Sequence, residues 1–248
     1  MPKVILEAHD AVTFLRLNNG ITNAISPELV DDLTDAVKRI KNESKGMVLA
    51  GGNKFFCIGL DLPTLLRLDR PDMVEFYRRF NQAVLDLYTL PIPTACAIDG
   101  HATAGGAIIA LSSDFRFISS GRKFIGFNEV KIGVPVPYLA DLILRQITGD
   151  RYATELMFTG EFVEPQQAQK IGLIDEVVSS ENLEDTAVAK ILELAALPPY
   201  GIKGIINNRV DAVRARYEEM RSTDYDWFLN CWFNPAVQEL LKEAAKKF

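Results

Sequence analysis

Short apolar runs alternate along this chain with longer runs of helical periodicity, and this alternation constrains the fold more than any other feature. Residues 47–50 form one apolar run that two glycines end, and residues 94–98 form another that an Asp-Gly pair ends. Apolar runs of this length, bounded by turn residues, predict short buried strands. Strand, crossover and helix therefore alternate, which predicts a fold of the α/β class.

The amino-terminal segment contains the signals of a hairpin followed by a helix. Residues 4–6 and 12–17 alternate apolar with polar side chains around a His9-Asp10 turn, which predicts two paired strands. Ser26 precedes a proline and a run of apolar residues at helical spacing, which predicts an amino-terminal cap. The apolar positions of that helix are Leu29, Leu33, Val37 and Ile40.

A proline pair, Pro198 and Pro199, divides the chain into two predicted regions. Residues 1–197 contain the alternation of strand and helix, and residues 198–248 are mostly helical in pattern. The second region has large apolar groups that it could not bury alone, so we expect it to dock on the body or on a neighbouring subunit. These groups are Trp227, Phe228, Trp232 and Phe233.

Charge and cysteine usage argue against several classes of function. A net charge of −6, with no basic stretch interleaved with aromatics, predicts no nucleic-acid partner. No apolar run reaches membrane-spanning length and the start does not resemble a signal peptide, so we expect no membrane partner. Three scattered cysteines, Cys57, Cys96 and Cys231, suggest neither a disulfide framework nor a zinc site and fit a cytoplasmic protein.

Familiar catalytic motifs are mostly missing from the sequence. It contains neither of the glycine-rich loops that cradle nucleotide phosphates. Because the only histidines are His9 and His101, neither a histidine metal site nor a serine triad is expected. We interpret His101 as a turn residue with a satisfied ring, with a place on a pocket wall as the alternative.

Two glycine-containing turns can instead supply chemistry through the backbone. Residues 55–62 read FFCIGLDL and residues 100–106 read GHATAGG. Each could be an ordinary turn, but two turns that each expose one N–H can converge on a single oxygen. A helix that begins near Gly105 adds its N-terminal dipole at the same point. The pair therefore predicts an oxyanion hole.

Five motifs follow one another in a specific order. They are NGITNAIS (19–26), FFCIGLDL (55–62), IPTACAIDGHATAGGAIIALSSDFRF (92–117), FIGFNEVKIGVPVP (124–137) and FTGEFVEPQQAQKIGLIDEVV (158–178). Together they resemble the crotonase superfamily of enoyl-CoA hydratases and isomerases. The resemblance implies a spiral of repeated ββα units, followed by helices that build a homotrimer or a dimer of trimers.

The same resemblance implies an acyl-CoA thioester substrate and an enolate held by two backbone amides, those of Leu60 and Gly105. CoA would arrive as part of the substrate, so no separate cofactor is expected. A thioester oxygen gains negative charge only when the α-proton leaves, and rigid amide donors therefore favour the transition state. Glu129 matches the family's acid/base position, where apolar neighbours would raise its pKa. The alternative is a surface glutamate beside Lys131.

One departure from the hydratase pattern favours a particular reaction. Hydratases of this family use a second glutamate on the first turn of the helix after the glycines, and Ile108 occupies that position here. The pattern around Pro135, Pro137 and Tyr138 is similar to that of mitochondrial-type Δ3,Δ2-enoyl-CoA isomerases. The resemblance thus implies an isomerase with Glu129 as its single acid/base. Alternatives are a hydratase or another crotonase-type reaction, and a non-catalytic acyl-CoA-binding protein.

The resemblance also assigns CoA contacts and leaves three other acids to interpret. The expected CoA-binding residues are Asn23, Ala24, Ile25, Cys57, Ile58, Gly59 and Asp61, and Lys242, Lys246 and Phe248 are tail candidates for the phosphates or adenine. A solvated helix end is the alternative for the tail. We expect Asp61 to cap or orient its loop and Asp114 to be structural. Asp141 could reach the acyl pocket only if the intervening segment folds inward.

Overall fold

The computed structural model describes residues 1–246, which form nine strands and nine α-helices. The strands are β1 (Val4–His9), β2 (Val12–Leu17), β3 (Gly46–Ala50), β4 (Phe55–Cys57), β5 (Thr94–Ile98), β6 (His101–Thr103), β7 (Phe115–Ser119), β8 (Ile125–Gly126) and β9 (Glu176–Val178). The helices are α1 (Pro27–Glu43), α2 (Leu62–Leu65), α3 (Arg70–Tyr88), α4 (Gly105–Leu111), α5 (Tyr138–Thr159), α6 (Pro165–Lys170), α7 (Leu183–Ala195), α8 (Pro199–Trp232) and α9 (Pro235–Ala245). Short 3-10 helices span Glu129–Ile132 and Ser180–Asn182.

The strands form two sheets. A six-stranded sheet has the order β1-β2-β3-β5-β7-β9, in which only β1 and β2 are antiparallel, and a three-stranded parallel sheet has the order β4-β6-β8. Neighbouring parallel strands require crossover connections, which the intervening helices supply. The α/β class predicted from the alternating periods is confirmed.

A repeated ββα unit relates the two sheets. In three consecutive units the first strand joins the large sheet and the second joins the small one, as β3 with β4, β5 with β6, and β7 with β8. A helical segment follows each pair, so each turn of the chain adds one strand to each sheet. This is the spiral that the sequence resemblance implied.

The hairpin and the first helix form where their sequence signals lie. The ladder of β1 and β2 continues to the pair His9 and Val12, so β1 runs three residues beyond the predicted 4–6 segment because it keeps pairing up to the turn. Ser26 Oγ accepts a hydrogen bond from Leu29 N at 3.3 Å and caps α1. All four predicted apolar positions of α1 are buried, which confirms its core-facing side.

The carboxyl-terminal region is helical from Pro199 to Ala245, with a break at Asn234 that caps α9. Phe228 and Trp232 of α8 are buried against the body of the same chain, which confirms the expected docking of this region on the body. Trp227, in contrast, keeps 67% of its surface exposed.

Candidate functional site

Three turns meet at one edge of the small sheet. Leu60 lies three residues after β4 ends, Gly105 lies two residues after β6 ends, and Glu129 lies three residues after β8 ends. Because these strands are parallel neighbours, their carboxyl ends share one edge, which is where open α/β sheets bind ligands. The topology therefore brings together the three residues that the sequence resemblance assigned to catalysis.

The backbone amides of Leu60 and Gly105 lie side by side. A Cβ on Gly105 would stand 3.6 Å from the Leu60 nitrogen, and a Cβ on Gly59 would stand 3.1 Å from the Gly105 nitrogen. Gly59 has a φ of 99°, so a side chain there would add backbone strain as well as crowding. No acceptor within residues 1–246 takes a hydrogen bond from either N–H. The resemblance assigns both donors to one oxygen, and that role stays a prediction.

Ile25 holds the first of these turns in place. Its N–H donates to Gly59 O at 2.8 Å, and its carbonyl accepts from Asp61 N at 3.1 Å, so it bonds on both sides of Leu60. These two backbone hydrogen bonds thereby fix the position of the Leu60 N–H. Such preorganised donors need no rearrangement as negative charge develops.

Ala104 holds the second turn in an uncommon conformation. Its φ of 49° and ψ of −124° lie in a region that residues with a Cβ rarely occupy. Ala104 N donates to Gly126 O at 2.9 Å, and Ile108 N donates back to Ala104 O at 3.0 Å, so contacts on both sides maintain the strain. Strain of this kind concentrates at functional sites, and here it lies at the residue before Gly105, where α4 begins.

Glu129 is a buried carboxyl group without a side-chain partner. It is 5% exposed, and its Oε2 has no hydrogen bond among the described residues. Burial raises the pKa of Glu129 to about 7, which a backbone hydrogen bond only partly opposes. The alternative of a surface Glu129 beside Lys131 is wrong, because Glu129 is buried. Lys131 pairs instead with Glu161 at 2.6 Å. A carboxyl group that titrates near neutrality can both accept and return a proton.

A cavity of about 590 Å³ contains all three groups. Its lining residues within the described chain are Thr22, Lys54, Phe55, Ile58, Leu60, Leu62, Tyr77, Phe80, Ala104, Gly105, Ile108, Asn128, Glu129, Lys131, Ile132, Val134, Pro137, Phe228, Trp232 and Ala244. Glu129 is the one carboxylate among them. Ile108 is 2% exposed and contributes an apolar group to the wall at the first turn of α4.

The residues expected to contact CoA occupy two different environments. Asn23, Ala24, Ile25 and Cys57 are buried, while Ile58 lines the cavity. The Asn23 amide donates to Phe56 O at 3.0 Å and its Oδ1 accepts from Asn19 N at 2.7 Å, so this side chain joins two loops. Contact between these five residues and CoA stays a prediction.

Cys57, Gly59 and Asp61 shape the loop around Leu60. The Cys57 sulfur accepts from Gly59 N at 3.4 Å, and burial raises the pKa of this thiol to about 12. Asp61 accepts from Thr64 N at 3.1 Å and from Thr64 Oγ1 at 2.9 Å, so it caps α2 as expected. These contacts hold the loop, and CoA binding by the same residues stays a prediction.

The other acids and His101 have structural partners. Asp114 accepts from the Thr94 amide and hydroxyl at 2.8 Å and pairs with Arg209, which confirms a structural role. Asp141 lines a separate groove and pairs with Arg145 at 2.9 Å. The His101 ring stacks on Phe124 and its Nδ1 accepts from the Phe124 amide, which confirms the satisfied ring. The expected turn position is wrong, because His101 is the first residue of strand β6.

The tail candidates lie on the exposed side of α9. Lys242 pairs with Glu239 at 2.8 Å, and Lys246 pairs with Glu243 at 2.5 Å. In each pair the two residues are three positions apart, about one helical turn, as in a solvated helix end. Phe248 lies outside the described residues.

Four aromatic groups of the cavity wall were not assigned to the site from the sequence. Tyr77 and Phe80 come from α3, and Phe228 and Trp232 come from α8. Their apolar spacing predicts burial, which the sequence had indicated for the α8 pair. Spacing does not indicate whether a buried ring faces a cavity or the core.

Among the described helices, none combines the length and the apolar character that crossing a membrane requires.

Comparisons with known proteins identify the family of this chain. A family model for enoyl-CoA hydratase/isomerase matches residues 7–242. Human mitochondrial enoyl-CoA delta isomerase 1 is 24% identical over 240 residues, covering 95% of this chain and 80% of the human protein. Mouse mitochondrial methylglutaconyl-CoA hydratase is 30% identical over 193 residues, covering 76% of this chain and 61% of the mouse protein.

A solved structure extends the comparison to the whole fold. The crystal structure of human mitochondrial delta3-delta2-enoyl-CoA isomerase superposes with a TM-score of 0.94 at 24% sequence identity. It covers 99% of this chain and 97% of the human chain. The family model spans nearly the whole sequence, and this protein belongs to the enoyl-CoA hydratase/isomerase family, within the crotonase superfamily.

Proposed function

We propose that this protein is an enoyl-CoA isomerase that converts a 3-enoyl-CoA to a 2-enoyl-CoA. One observation carries the proposal: Glu129 is the one carboxylate on the cavity wall within residues 1–246. Moving a double bond needs one group that takes a proton from one carbon and returns it to another. Adding water needs in addition a group that orients and activates the water, and Ile108 has no atom that could do so.

The proposed reaction begins at C2 of the substrate. The Glu129 carboxylate removes a C2 proton, and the electron pair of that C–H bond delocalises over the C3–C4 double bond and the thioester. The thioester oxygen of the resulting dienolate accepts hydrogen bonds from Leu60 N–H and Gly105 N–H. Removal of one such donor typically costs about 2.7–4 kcal/mol of transition-state stabilisation.

The reaction ends when the same carboxyl group protonates C4. Protonated Glu129 gives its proton to C4, the double bond forms between C2 and C3, and the carboxylate is regenerated. Atoms and electrons balance without a cofactor, because CoA is part of the substrate. The apolar cavity wall supports this route, since water that is kept out can neither protonate the dienolate nor add to the 2-enoyl product.

A panel of acyl-CoA substrates tests the proposal. Purified protein is incubated with 3-enoyl-CoA and, separately, with 2-enoyl-CoA, and products are followed by absorbance and mass. Isomerisation leaves the mass unchanged, whereas hydration adds one water. We expect conversion of the 3-enoyl ester as the main activity. Efficient hydration of the 2-enoyl ester would instead identify a hydratase, and tight binding without turnover would identify a non-catalytic acyl-CoA-binding protein.

A further inference from the structure

The catalytic cavity has an exposed end and a buried end. Lys54 and Lys131 are exposed, and Thr22 and Phe55 are half-buried. Tyr77, Phe80, Phe228 and Trp232, which we call the aromatic end wall, are each 1% exposed. A charged CoA moiety cannot be buried without large cost, so it must remain at the lysine end. An acyl group attached to it would therefore extend from Glu129 towards the aromatic end wall.

The aromatic end wall is braced by contacts between α3 and α8. The rings of Tyr77 and Phe228 stack with centroids 4.0 Å apart, and Phe228 stacks on Trp232 at 6.0 Å. The Tyr77 hydroxyl donates to the Asp224 carboxylate at 3.2 Å, and Tyr138 N donates to the same carboxylate at 3.1 Å. Rings fixed in this way cannot move aside singly, because packed interiors yield little to local pressure.

We propose that the aromatic end wall sets the acyl chain length, so that this protein acts on short- and medium-chain acyl-CoA thioesters and excludes long-chain ones. The inference rests on the proposed acyl-CoA function of the same cavity. Each methylene that fits between Glu129 and the wall gains apolar contact. The first methylene that meets the rings must displace a stacked pair, and affinity falls there.

Phe80 offers a precise test because α3 contains a matched control. Phe76 is one helical turn away, is 3% exposed and stacks on Phe80 with centroids 6.4 Å apart. Phe80 lines the cavity and Phe76 does not. Phe80→Val and Phe76→Val therefore remove the same atoms from neighbouring buried positions, and only the first enlarges the space for an acyl chain.

The experiment measures binding of saturated acyl-CoA thioesters from four to sixteen carbons by calorimetry, below their micelle concentrations. These probes cannot isomerise, so the measurement does not depend on turnover. For the parent we expect affinity to rise up to about fourfold per methylene through medium chains and then to fall. In Phe80→Val the maximum should move to longer chains, while in Phe76→Val it should stay at the parent length.

Two binding results would overturn the inference without rejecting the proposed function. One is an affinity of the parent that keeps rising to the longest chain, and the other is an equal displacement of the maximum by both variants. Circular dichroism checks folding, and Phe80→Leu replaces Phe80→Val if the latter does not fold. A chain-length maximum without isomerase activity would reject the proposed reaction and keep this inference. Failure to bind any acyl-CoA would reject both.

Discussion

At the scale of single residues, Glu129 combines a cost in stability with a capacity for chemistry. Among the described residues its buried carboxyl group has no side-chain partner, and burial raises its pKa to about 7. An ionised group in this position lacks the solvation it would have in water. The same desolvation makes Glu129 a much stronger base than an exposed glutamate, so one physical cause produces both effects.

Replacing Glu129 tests its role as the acid/base. Glu129→Gln keeps the size of the side chain and removes its proton transfer, so we expect isomerase kcat to fall by at least the 10²–10⁴-fold typical of general acid–base catalysis. Affinity for an acyl-CoA should change little. The exposed Glu161 provides the control, and Glu161→Gln should keep the parent rate. Activity of Glu129→Gln within about tenfold of the parent would show that another group is the base.

The pH dependence of the parent gives a second measure of the same group. The carboxylate form must remove the C2 proton, so kcat/KM should rise with pH through the Glu129 pKa of about 7 and then level off. A profile that is flat between pH 5 and about 9 would contradict a base with this pKa.

The free energy of unfolding should fall as pH rises through the Glu129 pKa, whereas kcat/KM should rise. The folded pKa of Glu129 is raised from its ordinary 4.5 to about 7, so its contribution to folding is fully present below pH 4.5 and is lost as pH rises through 7. A pKa about 2.5 above its ordinary value corresponds to roughly 3 kcal/mol. Glu129→Gln should therefore be more stable than the parent by roughly that amount at alkaline pH.

Urea unfolding of both proteins at several pH values measures this difference. The stability advantage of Glu129→Gln should disappear as pH falls below 4.5, because the parent carboxyl group is then mostly neutral in both the folded and the unfolded state. An advantage that is constant over the whole pH range would mean that ionisation of Glu129 is not its cause.

Ile108 tests whether the missing second acid limits the reaction. Ile108→Glu should add a carboxylate at the cavity wall, and we expect hydration of a short 2-enoyl-CoA above the parent level together with slower isomerisation. The buried polar group should cost about 1–3 kcal/mol of stability. Ile108→Gln is the matched control, because it has similar size and polarity but cannot exchange a proton. Hydration by the parent at a hydratase-like rate would contradict the argument.

At the scale of elements, the position of α4 against β4 decides whether the two amides converge. A Cβ on Gly106 would stand 2.1 Å from the carbonyl oxygen of Cys57, the last residue of β4. The obstacle is backbone, which cannot rotate aside as a side chain can. Gly106 thus permits α4 to begin next to the Leu60 turn, which follows the same strand.

Gly106→Ala should separate these elements. We expect a stability loss of about 1–3 kcal/mol from overpacking. We also expect a fall in kcat, since the Gly105 N–H moves with the helix. Gly204→Ala is the control, because within residues 1–246 no atom apart from the adjacent residues and backbone of its own helix, α8, lies within 4 Å of a Cβ there. That change should stabilise by about 0.5–1 kcal/mol and leave kcat unchanged. A Gly106→Ala variant with parental kcat and stability would refute the close-packing argument.

At the scale of the whole molecule, the helical region closes one side of the site and leaves apolar surface exposed on another. Phe228 and Trp232 of α8 line the catalytic cavity, whereas Trp227 of the same helix is 67% exposed. Trp227 and the exposed Phe158 line a groove of about 600 Å³ together with Met157, Met220 and Val130. Apolar surface of this kind often marks contact with another chain.

We expect the protein to form a trimer, as its family resemblance implied. Sedimentation equilibrium should give three times the mass of one chain, or six times if two trimers associate. Replacing an exposed apolar group in the groove, as in Trp227→Ser, should weaken the assembly if the groove is part of the interface. A monomer at all concentrations would reject the trimer, and an unchanged trimer in Trp227→Ser would exclude that groove.

Local sequence patterns are enough to predict the α/β class, the hairpin, the capped first helix and the glycine turns around Leu60 and Gly105. These features follow from local causes: hydrophobic period, proline and glycine at specific positions, and a serine cap. The family resemblance assigned Glu129 to the acid/base position, a role that stays a prediction, although an isolated glutamate beside a lysine gives no local sign of burial.

Which groups share the cavity depends on how distant segments of the chain pack together. Glu129 shares the cavity with Leu60 and Gly105 because the small parallel sheet brings the ends of β4, β6 and β8 to one edge. Tyr77 and Phe228 are 151 positions apart in sequence, yet their rings stack at 4.0 Å, since α8 folds back onto α3. Periodicity specifies that such residues are buried. Which partner they meet depends on packing between distant segments, and no local pattern encodes that choice.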